Sequence, residues 1–443
     1  MGRLFGTDGV RGVANRDLTP ELAFSLGRAA VAVLGGGRRP SIVVGRDTRG
    51  SGEMIQAALS AGIASAGGNV LRLGVVPTPA VAFLTRQAGA RAGVVISASH
   101  NPPEYNGIKF FSGEGMKLPD AVEDEIERLV ADPDGPRPEG AAVGRVTDVP
   151  ELLGGYVEHL LAAATTLGGM RVVVDAANGA AYRLAPEGLR RLGAEVYAIH
   201  DEPDGDNINA GCGATSPEVV GAAVRRFGAD AGVAHDGDAD RAMLADANGN
   251  VIDGDQIISA CAIDMKDQGA LAKDTVVVTV MANLGLRRAM EDAGITVLET
   301  AVGDRYVLEE MLRSGAVLGG EQSGHVIFLD ETTTGDGLLT AVKFLSLARS
   351  RGVSVAELAG TMRRYPQVLE GVRVADVDAL EAATDVWEAV REVEARLGTA
   401  GRGLVRASGT EPVIRVMVEA ETEAEARRHV DAIIQRLRSA LRP

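Results

Sequence analysis

Only two cysteines, Cys212 and Cys261, occur in 443 residues. No apolar leader is read in the opening stretch MGRLFGTDGVRGVANRDLTP. A secreted disulfide scaffold is therefore not expected, and a reducing, cytoplasmic setting is. No run approaches the roughly 20 apolar residues that span a membrane. Long basic runs are also missing: 45 Lys plus Arg face 61 Asp plus Glu, for a formal net charge of −16. Such a chain repels nucleic acid and anionic membranes, so neither is expected as a partner. A phosphate ligand stays open, because a local Arg cluster and backbone N–H groups can hold one inside an acidic protein.

Glycine, by contrast, is abundant: 56 residues, about 13% against an average of about 7%. It clusters in short loops between apolar runs, where backbone can approach a ligand closely. The runs SIVVG (41–45), AGVVIS (92–97), MRVVVDA (170–176), DAGVAH (230–235), TVVVTV (275–280) and AVLGG (316–320) predict buried strands. Amphipathic stretches such as 52–67 and 121–132 predict helices between them. Strands alternating with helices imply α/β layers with mixed sheets. The Pro/Gly-rich stretch 132–144 predicts a linker, and the Asn-Gly turn in DANGNVIDGD (246–255) marks the start of a third unit. The expected domains are 1–145, 146–250, 251–366 and 367–443. The first three share an α/β rhythm, although no literal repeat is visible.

Four loops after apolar runs carry the unusual residues, at the place where α/β proteins bind ligands. In ISASHNPPEYNGIKFF (96–111), Ser99 ends a strand in a Pro-limited turn and is expected to be presented to solvent. An ordinary polar turn would read the same way. Lys109, between Ile108 and Phe110, either snorkels outward or points into a site. In AHDGDADRAML (234–244), Asp236, Asp238 and Asp240 stand at alternate positions, which share one face of an extended segment. Three such carboxylates repel one another unless a hard cation lies between them. A calcium EF-hand is excluded, since Arg241 and Ala247 occupy the positions where it needs Gly and Glu. In GGEQSGHVIF (319–328), Glu321, Gln322, Ser323 and His325 suit neutral hydroxyls. In RASGTEPVIRVMVEA (406–420), Ser408, Gly409 and Thr410 lie between Arg406 and Arg415, as an N–H nest with forked guanidinium groups would require for a phosphate dianion. Arg11 in FGTDGVRG (5–12) and Arg49 in GRDTRGSG (45–52) also sit beside glycine.

Taken in order, SASHNP (97–102), DGDADR (236–241), GEQSGH (320–325) and RASGTEP (406–412) resemble the α-D-phosphohexomutase family over essentially the whole chain. GGEQSGH, VGDRYV (302–307) and TTGDGL (333–338) are most similar to its bacterial branch that acts on glucosamine phosphates. CGATSPE (212–218) departs from that branch, where a His often follows the Thr. The resemblance implies three similar mixed-sheet α/β domains and a smaller C-terminal α+β domain around a central cleft. It implies Ser99 as phosphoserine, and one Mg²⁺ held by Asp236, Asp238, Asp240 and a phosphoserine oxygen. Glu321 and Ser323 would bind the sugar, with Arg241 beside them. Arg406, Ser408, Gly409, Thr410 and Arg415 would hold the non-reacting phosphate. Lys109, with Arg11 and His325, would assist proton transfer and stabilise charge.

The implied reaction interconverts glucosamine 6-phosphate and glucosamine 1-phosphate through a 1,6-bisphosphate. A bisphosphosugar or a kinase would supply the first phosphate. The implied partner is a small phosphosugar, with a homodimer left open as the assembly. Alternatives are a phosphomannomutase or phosphoglucomutase, a metal-dependent sugar phosphatase, and a non-catalytic phosphosugar sensor.

Overall fold

The computed structural model describes residues 3–6, 8–36, 39–131, 137–408 and 412–441. Eighteen strands among them form four sheets. The first holds β1 (Val10–Val13), β2 (Ser41–Arg46), β3 (Asn69–Val75), β4 (Ala92–Ile96), β5 (Tyr105–Ser112) and β6 (Val146–Asp148) in the order β1-β5-β4-β2-β3-β6. The second holds β7 (Arg171–Asp175), β8 (Glu195–Ile199), β9 (Ala231–His235), β10 (Ala242–Asp246) and β11 (Val251–Ile252) as β11-β10-β9-β7-β8. The third holds β12 (Thr275–Thr279), β13 (Thr296–Thr300), β14 (Leu318–Gly320) and β15 (Val326–Phe328) as β13-β12-β14-β15.

A repeat invisible in the residues appears in this topology. Each of these three sheets contains three parallel strands and then an antiparallel one: β3-β2-β4-β5, β8-β7-β9-β10 and β13-β12-β14-β15. The third parallel strand turns back into the antiparallel one in each case. Three of the four candidate loops are those turns: 97–104, 236–241 and 321–325.

The parallel strands are covered on both faces, so they read as unbroken apolar runs rather than alternating ones. Ile42, Val43 and Val44 have no exposed surface, and neither do Val172, Val173 and Val174 or Val276, Val277 and Val278. In the first sheet, Ile42, Val44, Ile96 and Ile108 pack on Leu26, Leu59 and Ile63 from the helices Pro20–Leu34 and Gly52–Ser65. The Asn-Gly turn forms as expected, with Gly249 at φ 78°, but its second strand, β11, pairs with β10. It therefore closes the second sheet instead of opening the third. Likewise β6 joins the edge of the first sheet beside β3.

The chain separates into a larger unit, residues 1–281 and 295–361, and a smaller one, 282–294 and 362–443. The smaller unit contains an antiparallel sheet of β16 (Gln367–Arg373), β18 (Val413–Glu419) and β17 (Arg402–Ala407). Val390 and Val393 of the helix Thr384–Leu397, and Val430 and Ile433 of the helix Glu423–Ala440, cover its apolar side with Ile414, Val416 and Val418. The buried Glu419 ties the inserted helix Leu284–Asp292 to this unit. It accepts from the Leu284 N–H at 3.0 Å and pairs with Arg402 Nε at 2.5 Å. Cys212 and Cys261 are buried and unlinked. No helix among the described residues is long and apolar enough to cross a membrane.

Candidate active site

Ser99 departs from its expectation: it is buried, 2% exposed, with φ at +50°. A left-handed residue with a side chain needs surroundings that impose it. Here the imposing group is Arg49, whose five N–H bonds all have acceptors. Nε donates to Asp47 Oδ2 at 2.9 Å, Nη2 to the carbonyls of Ser99 and Asn101 at 2.9 and 2.8 Å, and Nη1 to those of Tyr105, at 2.9 Å, and Pro102. Ser97 Oγ donates to Asp47 at 2.6 Å and accepts from the Ser99 N–H at 2.9 Å. The turn is thus wrapped around a buried cation, and Ser99 Oγ is aimed at Asp236 Oδ2, 2.7 Å away.

The three aspartates converge, but not by strand alternation. Residues 236–240 form a turn, and Ala239 sits at φ 56°. Turning the chain directs all three carboxylates inward, with candidate ligand oxygens within 4.8 Å of one another. Asp238 Oδ2 accepts from Thr78 Oγ1 at 2.7 Å and from Lys109 Nζ at 2.9 Å. Asp238 Oδ1 and Asp240 Oδ1 are buried with no hydrogen-bond partner among the described residues. Burial and the charges of Asp240 and Asp238 push Asp236 well above the usual carboxylate range, and burial and Asp238 push Asp240 up. Burial also opposes ionisation of Asp238, yet the Lys109 charge and its hydrogen bond outweigh it and hold that carboxyl low. Unpartnered hard oxygens with surplus negative charge fit a divalent cation of the Mg²⁺ type.

Lys109 takes the inward course. It is buried, 2.9 Å from Asp238 and 2.8 Å from Asp8. Burial alone would lower its pKa, but those two carboxylates keep it protonated above its ordinary range. Arg11 pairs with Asp8. Arg241 Nε lies 3.8 Å from Asp240, and its backbone N–H donates to Asp236 at 3.3 Å. His100 Nδ1 lies 3.4 Å from Ser99 Oγ, and burial, reinforced by Arg241, lowers its pKa to about 4.

The loop of Glu321 and Ser323 meets the carboxylate turn through backbone. The Ala242 N–H donates to the Gly324 carbonyl at 3.0 Å, and the Gly337 N–H to that of Ala239 at 3.0 Å. A Cβ at Gly324 would strike the Ala242 carbonyl, and one at Gly337 the Arg241 carbonyl. These contacts account for the second glycine of GEQSGH and of TTGDGL. His325 is 2% exposed, with Nε2 3.9 Å from Asp240. Ser323 Oγ approaches Glu321 Oε2 at 3.5 Å.

In the smaller unit, Arg406 and Arg415 face each other across β17 and β18, and Ser408 closes the turn by donating its N–H to Val413. Gly409 and Thr410 lie outside the described residues. Asp8, Asp47, Thr78, Lys117 and Asp304 escaped the sequence reading. Asp8 and Asp47 have one near partner each, Arg11 and Arg49, but the partners that draw all five toward the site lie far along the chain, so no spacing marks them.

A strained serine, a captive lysine and a three-carboxylate turn on repeated α/β modules suit phosphoryl transfer assisted by a metal. Family models give that chemistry its class. Phosphoglucomutase/phosphomannomutase domains I, II and III, each described as alpha/beta/alpha, match residues 2–136, 154–249 and 253–365, and the family's C-terminal domain matches 369–436. The chain belongs to this family, and is an isomerase of the phosphohexomutase type. It is 56% identical to a phosphoglucosamine mutase of Symbiobacterium thermophilum over 447 residues, covering 100% of both chains. It is 57% identical to the phosphoglucosamine mutase of Saccharopolyspora erythraea, covering 97% of each. A phosphoglucomutase/phosphomannomutase family protein of Burkholderia thailandensis superposes with a TM-score of 0.84 at 26% identity, with 99% of this chain and 97% of that one covered. The fold is also that of Aspergillus fumigatus N-acetylphosphoglucosamine mutase, solved with GlcNAc-6P and magnesium, at a TM-score of 0.69 and 19% identity, covering 99% and 96%.

Proposed function

We propose that the chain interconverts glucosamine 6-phosphate and glucosamine 1-phosphate through phospho-Ser99 and glucosamine 1,6-bisphosphate. The observation that carries this reading is Ser99 Oγ, 2.7 Å from Asp236 of a carboxylate turn whose Asp238 holds a buried, charged lysine at 2.9 Å. Asp236, Asp238, Asp240 and an oxygen of phosphorylated Ser99 would hold Mg²⁺, which supplies positive charge to the phosphoryl group.

The sugar hydroxyl attacks phosphorus, its bond to Ser99 Oγ breaks, and the hydroxyl proton passes to a base. Lys109 is held protonated, so it stabilises the phosphoryl oxygens and does not accept that proton. His325 is the candidate proton acceptor. Arg11 and Arg241 add charge, and Glu321 and Ser323 bind sugar hydroxyls. The bisphosphate then reverses and returns its other phosphate to Ser99. Arg406, Ser408, Gly409, Thr410 and Arg415 grip the phosphate that is not reacting; the paired Arg406 and Arg415 charges suit a dianion. The first, second and third sheets carry the loops of Ser99, Asp236 and Glu321, and the C-terminal domain carries the loop of Ser408. A bisphosphosugar or a kinase loads Ser99 initially.

A ³¹P NMR time course with Mg²⁺ tests this reading across glucosamine, N-acetylglucosamine, glucose and mannose phosphates. Glucosamine phosphate is expected to give the highest kcat/KM, with transient bisphosphate. Better kinetics with mannose 1-phosphate would make the enzyme a phosphomannomutase. Accumulation of inorganic phosphate without isomerised sugar would make it a phosphatase.

A further inference from the structure

The motif VGDRYV (302–307) carries no role in the reaction as derived so far. In the fold it lies directly behind the sugar loop. Gly303, at φ 138°, precedes the helix Asp304–Ser314, and its N–H donates to Glu321 Oε1 at 3.1 Å. Asp304 Oδ2 is 3.5 Å from His325 Nε2 and 2.5 Å from Lys117 Nζ. Lys117 Nζ reaches Asp8 Oδ1 at 2.6 Å, and Asp8 Oδ2 reaches Lys109 at 2.8 Å. Charges thus alternate from Lys109 on β5 through Asp8 and Lys117 to Asp304, which faces His325 in the third module.

His325 has few other constraints. Both ring nitrogens are buried without a hydrogen bond among the described residues. Gly335 packs against the ring, where a Cβ would collide with it. Packing sets the ring plane, and Asp304 is the nearest carboxylate to Nε2. Burial opposes the Lys117 charge, but Asp304 and Asp8 hold it protonated. Burying such a string of charges seldom stabilises a fold more than apolar packing would. A requirement for position explains it better.

We propose that VGDRYV is the positioning element of the sugar loop: Asp304 orients His325, the Gly303 N–H orients Glu321, and Lys117 fixes Asp304 against the module that carries Ser99. This rests on the mutase reading above. Asp304 and Lys117 are positioning residues, acting through His325 and Glu321.

The test compares D304N, K117M, their double variant and the conservative D304E with wild type. The control is R313Q, on the same helix but outside the motif, whose exposed side chain pairs with Glu310. Steady-state kinetics with glucosamine 6-phosphate are measured beside hydrogen exchange of peptides covering 318–328, at a temperature where every variant is folded. D304N is expected to lower kcat by about 100-fold, the usual cost of a misplaced reacting group, with KM within about threefold. Exchange across 320–325 should quicken. D304E should restore part of kcat, R313Q should match wild type, and the double variant should lose no more than the worse single one, since coupled residues are non-additive. Wild-type kcat and wild-type exchange in D304N would overturn the proposal, as would fully additive losses. If wild type isomerises no hexosamine phosphate, the reaction is wrong, and exchange in 320–325 still decides the positioning role.

Discussion

The turns 97–104 and 236–241 occupy the same place in two modules of one repeated topology, yet they are built oppositely. In the first, each N–H of Arg49 has an acceptor, and the strained Ser99 is held from behind. In the second, two carboxylate oxygens make no hydrogen bond among the described residues, and two of the three acids have raised pKa values. The fully bonded turn fixes Ser99, the proposed reacting group, in place. The other is left with unmet charge that a ligand can satisfy. One topology supports both because the turn backbone, not the sheet, decides which groups face inward.

The most severe break is S99A. It keeps the turn, whose bonds run through backbone, but removes the phosphate acceptor, so mutase activity should fall to background while the melting temperature stays within about 2 °C. Intact-mass measurement should find no phosphate on the variant. Turnover at the wild-type rate would reject the covalent route.

Next is R49K, which keeps the charge but offers fewer donors in a different geometry. Unmet buried carbonyls should cost about 2–4 kcal/mol in urea unfolding. Below the unfolding transition, kcat should still fall at least tenfold as Ser99 relaxes from its left-handed conformation. A variant as stable and as active as wild type would show that the turn needs no buried fork.

The second turn should respond in the reverse sense. D236N relieves repulsion among the buried carboxylates, so in EDTA it should melt higher than wild type, by about 1–2 kcal/mol of stability. Added Mg²⁺ should raise the melting temperature of wild type by mass action and leave the variant nearly unmoved. If D236N is destabilised in EDTA, the turn is not under charge strain.

The smallest effect lies behind the metal turn. Asp336 caps the helix Gly337–Arg351 and accepts from Tyr156 Oη at 2.9 Å, and burial raises its pKa to about 7. The folded protein therefore binds a proton that the unfolded chain has already released between about pH 4 and pH 7. Stability from this group is full near pH 4 and is lost as pH rises through 7. D336N keeps the cap and should flatten that part of the profile in thermal melts from pH 5 to 8. An unchanged slope would place the titration elsewhere.

Much was legible before folding. The apolar runs marked six of the buried strands, because strands covered on both faces have no polar positions to disguise them. The motif order marked the family and the four loops, because each loop concentrates its chemistry within a few consecutive residues. The depth of Ser99 was misread, since a turn's exposure depends on what packs over it. The convergence of the three aspartates was read as strand alternation, although a turn at Ala239 produces it. Asp8, Lys117 and Asp304 stand alone in the sequence, and only the packing of distant segments joins them to Lys109 and His325.

The sequence by itself determined which groups are available: a serine, a lysine, three close carboxylates, and glycines where backbones must touch. Tertiary structure alone decided the strand order shared by the three modules, the buried fork of Arg49 and the charge string behind the loop 320–325. The physical reason is range. Local order follows from neighbouring residues, whereas sheet order and ion pairs between residues more than a hundred positions apart exist only once the core has formed around them.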